Sequence, residues 1–198
     1  MRPRVLALLL CVACGGAPPP AASPTDARAV VTRLGGALEL DPPDTGERVV
    51  AVDLHGSAVT DADLAPLAAL TDLRALDLRL TGIGDAGLAH LRALTRLRTL
   101  NLFRTHTTDA GLAHLAAMTQ LDTLMLGGTL ISDAGLAHLR PFTRLRKLSV
   151  FDTEIGDAAV EHLAALPALE IVLLEKSAIT PAGREALRRA HPTLRFAE

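Results

Sequence analysis

Four histidines, His90, His114, His138 and His162, stand 24 residues apart, each directly before a leucine. Four imidazoles suggest zinc, which needs its ligand nitrogens about 2.0–2.1 Å from one point. The equal interval argues against convergence, because a chain repeating at that interval sets the rings on successive layers at least ~4.8 Å apart. A neighbouring pair could share an ion, but four could not. Unperturbed, the rings would charge near about pH 6.5 and repel one another in acid. Six hydroxyls, Ser57, Thr81, Thr105, Thr129, Thr153 and Ser177, keep the same interval. Spacing gives none of them a general base, so they read as a ladder satisfying backbone groups at a turn. Asp53 and Asp77 form a candidate carboxylate pair, yet acid–base work needs a cleft around it. No Gly-rich phosphate loop, Cys–His arrangement or nucleophile elbow occurs. The expectation is a chain without catalytic residues, metal or cofactor.

The elements that position these residues come from one repeat. From Val49 the chain repeats every 24 residues, without insertion, through six units starting at Val49, Leu73, Leu97, Leu121, Leu145 and Leu169. In the second unit Leu76 and Leu78 alternate with polar residues, a short strand, and Leu88, Leu91 and Leu94 form one stripe of a helix. A fixed period of this length signals a solenoid. Thr60, Thr108, Ser132 and Thr180 stand where helix-capping hydroxyls belong, with Gly84 and Gly156 in the other two units. The next residue is Asp in five units, where negative charge suits a helix N-terminus. In the sixth it is Pro181, the residue favoured at the first helical position.

These motifs, with Thr108 to Leu115 reading Thr-Asp-Ala-Gly-Leu-Ala-His-Leu, resemble the leucine-rich repeat family over roughly residues 49–196. The resemblance implies an α/β leucine-rich repeat solenoid, a short arc with a concave parallel sheet and convex helices. The ends of such an array need caps. Ser23-Pro24-Thr25-Asp26 starts a helix that Gly35-Gly36 stops, and Ala37 to Asp41 reads as a strand joined to Val49–Leu54 through Pro42-Pro43-Asp44-Thr45-Gly46. At the other end Arg184 and Ala190 replace larger apolar residues, so the last helix tolerates water, and Leu194-Arg195-Phe196 closes the stack as a strand.

The N-terminus reads as an address. Arg2 and Arg4 precede the apolar run Val5–Leu10, too short for the roughly 20 residues that span a bilayer. Ala13-Cys14-Gly15-Gly16 resembles a bacterial lipobox, which implies acylation of Cys14; Cys11 departs from the pattern, and cutting before Cys11 would place bulky Leu10 at the cleavage position. An ordinary signal peptide cut nearby, with Cys14 incidental, is the other reading. The division expected is a signal peptide over 1–13, a Pro-rich tether over 14–24, an N-terminal cap over 25–48, six repeats over 49–192 and a capping tail over 193–198.

Composition narrows the function. Of 198 residues 49% are hydrophobic but only 2% aromatic, all four of them Phe, so the usual Trp and Tyr anchors of binding hot spots are missing. The net charge of −2 becomes −4 once Arg2 and Arg4 are removed, which gives no attraction to nucleic acid. In the family this chain resembles, residues between the strand leucines face out of the concave sheet. Here these include Asp53, His55, Asp77, Arg79, Asn101, Phe103 and Arg104, then Met125, Ser149, Phe151, Asp152 and Glu175. Phe103 and Phe151 fall on this face beside a gap at Gly127-Gly128, and exposed Phe on a polar sheet marks a contact site. Six strands give a face of roughly 250–350 Å², below the ~800 Å² per partner of a standard interface. The expected function is a monomeric, envelope-anchored binding module for a protein, peptide or glycan, held to the membrane by the acyl anchor alone. The alternative is a structural envelope spacer or self-associating element without a specific ligand.

Overall fold

The computed structural model describes residues 23–41 and 48–197. The expected signal peptide, Cys14 and nearly all of the tether lie outside the described residues. Ser23 caps helix α1 (Pro24–Arg33) through a reciprocal pair of bonds with Asp26, so Ser23 and Pro24 belong to the cap rather than the tether. Asp26 is held below the ordinary carboxylate range by the backbone and hydroxyl of Ser23.

Eight strands form one sheet in chain order: β1 (Ala37–Asp41), β2 (Arg48–Asp53), β3 (Ala75–Asp77), β4 (Thr99–Asn101), β5 (Thr123–Met125), β6 (Lys147–Ser149), β7 (Ile171–Leu173) and β8 (Arg195–Ala197). β1 pairs antiparallel with β2, and every later pair is parallel with a register of 24 residues, as in Leu76 beside Leu100. Counting β1 and β8, the sheet is about 34 Å across, wider than six strands allow. Inward leucines at 76, 100, 124 and 148 are fully buried, as are Leu78, Leu102 and Leu126 on the next inward row. Gly36 lets β1 approach, since a Cβ there would lie 2.6 Å from the Asp53 carbonyl oxygen.

The convex side is helical but only in part α-helical. Short α-helices α2 (Asp85–His90), α3 (Asp109–Ala113) and α4 (Val160–Ala164) alternate with 3-10 segments at Asp61–Ala69, Leu91–Ala93, Asp133–Leu139 and Asp157–Ala159. The reason is the spacing of the buried residues. Leu88, Leu91 and Leu94 are three apart, as are Leu136, Leu139 and Phe142, and three residues per turn keeps such a row on one face. Among the convex α-helices only α5 (Pro181–Ala190) runs longer. Phe142 fills the slot held by Leu94 and Met118 in earlier units and is fully buried.

The convex segments are joined by an aspartate ladder. The first Asp of each segment accepts the backbone N–H at the start of the next one: Gly84 to Asp61, Thr108 to Asp85, Ser132 to Asp109 and Thr180 to Asp157 at 2.8 Å, and Gly156 to Asp133 at 2.6 Å. Where a hydroxyl stands at the start, it donates to the same carboxylate at 2.6 Å, as Thr108, Ser132 and Thr180 do. These hydroxyls stand at the N-cap positions expected of them, and Thr108 and Thr180 each accept an N–H of their own segment at 3.3 Å, whereas Ser132 makes no such bond. A hydroxyl can donate and accept at once, so the bond to the neighbouring carboxylate adds to the cap. The ladder also explains a recurring glycine at the third position of the segment: at Gly87 an added Cβ would stand 2.5 Å from Asp61 Oδ1, and Gly111, Gly135 and Gly183 are closed in the same way by the Asp of the preceding unit, whereas the fifth unit carries Ala159 there.

The first unit has no preceding Asp, and there Asp63 takes the glycine's place. It accepts the backbone and hydroxyl of Thr60 and the Arg33 guanidinium of α1 at 2.5 Å, bonds that lower its carboxyl to about 2. The hydroxyls after the strands behave as a backbone ladder: Thr81, Thr105, Thr129, Thr153 and Ser177 each donate to the carbonyl three residues back at 2.6–2.8 Å. The Ser57 hydroxyl alone among them has no partner among the described residues.

Replacing Asp109 by Ala should destabilise the chain by about 1–3 kcal/mol in urea unfolding, because two part-buried donors of Ser132 lose their acceptor. Gly135→Ala should cost about 1–3 kcal/mol by overpacking, and clearly less in the Asp109→Ala background, where the clashing carboxylate is gone. Asp63 keeps its charge in the folded chain down to about pH 2 but takes up a proton near 3.8 once its partners are lost. Its stabilisation is therefore complete above about pH 4 and disappears as the pH falls toward 2. Thermal unfolding of Asp63→Asn should start lower at neutral pH and fall less steeply over that window than the parent's.

Candidate functional site

The concave face is built from two outward rows of the sheet. The first runs Ala51, Ala75, Thr99, Thr123, Lys147, Ile171 and the second Asp53, Asp77, Asn101, Met125, Ser149, Leu173, each set in register. Side-chain size rises along the first row. Its N-terminal half, floored by Ala51 and Ala75 and joined by Ala37 and Glu39 of β1, holds a shallow depression of about 370 Å³ that reaches Asn101 and Met125. The cap strand therefore supplies part of the site, which spacing within the repeats could not show.

The second row does structural work as well. Asp53 accepts the backbone N–H of His55 at 3.0 Å, Asp77 that of Arg79 at 3.0 Å, and Asn101 that of Phe103 at 3.1 Å. Each side chain thus closes the end of its own strand, the local turn that Asp and Asn favour. Asp53 also holds the His55 ring through Nδ1 at 2.8 Å. Burial works to raise the Asp53 carboxyl, and the His55 backbone, the His55 ring and the Arg79 charge outweigh it, leaving the group below its ordinary range. Asp77 takes the Asn101 amide at 3.2 Å and lies 3.4 Å from the Arg79 guanidinium. Asp53 is thus held as an ionised acceptor, and both carboxylates are occupied by neighbouring donors. Ser149, expected to face outward, is buried, and the Phe151 N–H lies 3.5 Å from its hydroxyl.

Just past the strand ends stands the row His55, Arg79, Phe103, Gly127, Phe151, Glu175. Phe103 and Phe151 are half-buried rather than exposed, and the expected gap between them is closed by the rings themselves. Their centroids are 6.3 Å apart at a tilt of 42°, and a Cβ on Gly127 would lie 3.0 Å from Phe103 Cδ2. The Arg104 guanidinium sits 5.2 Å from the Phe103 centroid and the Lys176 ammonium 5.2 Å from that of Phe151. Arg104 and Asp152 are a correction: they are not on the sheet face. Both adopt the left-handed conformation, φ 53° and 55°, which carries the chain off the sheet, and they line a separate recess of about 490 Å³ at the turn edge. Leu130, the most exposed large apolar residue among those described at 66%, lines the same recess and was not singled out by sequence reasoning. Aligning the turn residues at the 24-residue interval is the signal that would have found it.

On the convex side His90 and His138 are exposed and His114 and His162 half-buried, one to each layer. Among the described residues no group of three or more His, Cys, Asp or Glu is arranged to hold a metal. No helix among them is long and apolar enough to cross a membrane.

A family model for the leucine-rich repeat matches residues 69–91. Comparison with curated proteins finds no match. Among solved structures, an internalin from Listeria monocytogenes is similar over 87% of this chain, with 22% identity and a TM-score of 0.56. The chain spans about half of that protein's length, 53%. A TDR receptor matches over 67% of this chain and 23% of its own, at 16% identity and a TM-score of 0.48. The repeat match, the internalin-like architecture and the parallel sheet with helices behind it show an α/β leucine-rich repeat solenoid.

Proposed function

We propose that this leucine-rich repeat solenoid is a non-catalytic binding module, a lipoprotein of a bacterial cell envelope that holds a peptide, protein or glycan against its concave face. The observation that carries the binding reading is the gradient of side-chain size along the sheet. Alanines at 37, 51 and 75 leave a depression whose floor a ligand backbone can approach closely, and the ring pair of Phe103 and Phe151 stands at the strand ends beyond it. The pair offers contiguous apolar surface in a chain with 2% aromatic residues, flanked by the charges of Arg104 and Lys176. The polar groups beside the depression, Asp53, Asp77 and Asn101, are already fixed by backbone and neighbour bonds, which suits recognition by a preformed surface more than proton transfer. Eight strands widen the face beyond the six-strand estimate, so a short peptide or a compact polymer segment finds room on it. The envelope part of the proposal rests on Ala13-Cys14-Gly15-Gly16 and the apolar run before it.

Cross-linking in the native envelope, followed by mass spectrometry, should recover a partner with the parent chain and lose it with Phe103→Ser combined with Phe151→Ser. Undiminished capture by that folded double variant would remove the concave site. Intact mass of the mature protein should show a chain beginning at Cys14 with acyl groups attached. An unmodified Cys14, or cleavage elsewhere, would remove the anchor and leave the binding reading in place.

A further inference from the structure

After each strand the chain turns through one left-handed residue: Gly56, Leu80, Arg104, Gly128, Asp152 and Lys176, at φ between 53° and 66°. Glycine adopts that conformation freely, whereas a residue with a Cβ is strained in it. Four of the six nevertheless carry a side chain, so folding alone does not account for the choice. The two exposed large apolar residues among those described, Leu80 at 50% and Leu130 at 66%, both belong to this edge. Arg104, Asp152, Glu154 and Lys176 line its recess, and among the described residues none of the four forms an ion pair.

Taken layer by layer, the edge presents apolar Leu80, cationic Arg104, apolar Leu130 and anionic Asp152 with Glu154. Layers are about 4.8 Å apart, and an α-helix advances about 5.4 Å per turn. A helix lying along the edge therefore meets one layer per turn and slips by only about 2 Å over four layers. We propose that this edge docks an amphipathic helix of a partner protein, one that presents an apolar, an acidic, an apolar and a basic residue on four successive turns of one face. The acidic residue pairs with Arg104 and the basic one with Asp152 and Glu154. The second apolar residue packs against Leu130 in the recess, beside Gly128, whose missing side chain makes room for the Arg104 stem. This surface lies beyond the concave sheet, and neither site depends on the other being occupied.

The test uses a synthetic helical peptide of about four turns carrying Leu, Glu, Leu and Lys on successive turns of one face, titrated into the full chain by fluorescence anisotropy. Saturable binding is expected. It should weaken at least about tenfold in Leu130→Asp and in Arg104→Gly, and equally for a peptide with Glu and Lys exchanged. Leu80→Gly and Arg104→Gly should keep or raise the Tm, because glycine suits the turn. No binding, equal affinity for the exchanged peptide, or unchanged affinity in the variants would overturn the proposal. So would a lowered Tm in both glycine variants, which would assign the side chains to folding. Self-association of the chain that Leu130→Asp abolishes would overturn it too, giving the edge to a second copy. Because Arg104 also stands over the Phe103 ring, Leu130→Asp is the variant that separates the two readings, the concave site being probed by Phe103→Ser and Phe151→Ser.

Discussion

The carboxylate that each convex segment offers to the first N–H of the next is the interaction on which the solenoid depends. Leucine packing makes the layers cohere, but apolar burial has no direction, and near-identical leucine slots would tolerate a slip between neighbours. A charge-assisted hydrogen bond from Asp109 to both donors of Ser132 has direction and a fixed length. It sets which layer meets which and how far apart they stand. In four of the five joints the recurring Asp and Gly are one device, since the glycine is the space into which the previous unit's carboxylate reaches; Ala159 stands at the other. Where the ladder begins, Asp63 replaces the glycine and ties the first repeat to α1 through Arg33. Where it ends, Thr180 receives Asp157, whose carboxyl is lowered by that hydroxyl and by the Thr180 backbone N–H.

With the convex side committed to joining layers, the other surfaces are the ones open to a ligand, and the concave rows also hold the strands together. Asp53, Asp77 and Asn101 close their strands with side-chain oxygens and still face the depression, so they are rigid groups rather than free ones. The alanines beside them matter for what they omit. Such a surface offers shape and fixed polar positions, and its low aromatic content leaves one ring pair at the strand ends.

The period, the strands, the inward leucines and the outward rows were legible in the sequence, because a 24-residue interval maps each residue onto one layer and one row. The same arithmetic put Phe103 and Phe151 two layers apart in one row on the concave side, though not past the strand ends where they stand. Their contact was not legible. The rings belong to units two layers apart and meet only because Gly127 lies between them with no side chain to hold them off. The capping hydroxyls stand where the sequence put them, but their second bond was not legible for a related reason. Capping rules describe an isolated helix, and the carboxylate that accepts from these hydroxyls belongs to the neighbouring unit. The mixed α and 3-10 character of the convex side was present in the three-residue spacing of Leu88, Leu91 and Leu94, which fits a 3-10 turn better than an α-helical one.

By itself the sequence determined the repeat, its register and the split between buried and outward residues, since these follow from residue type at a fixed period. Tertiary structure decided what depends on adjacency between layers. It turned Asp-x-Gly into a ladder, brought β1 alongside β2 to lengthen the concave floor, and moved Arg104 and Asp152 off the sheet by a left-handed turn. Periodicity fixes where a side chain stands on its own layer. Only packing fixes what stands next to it.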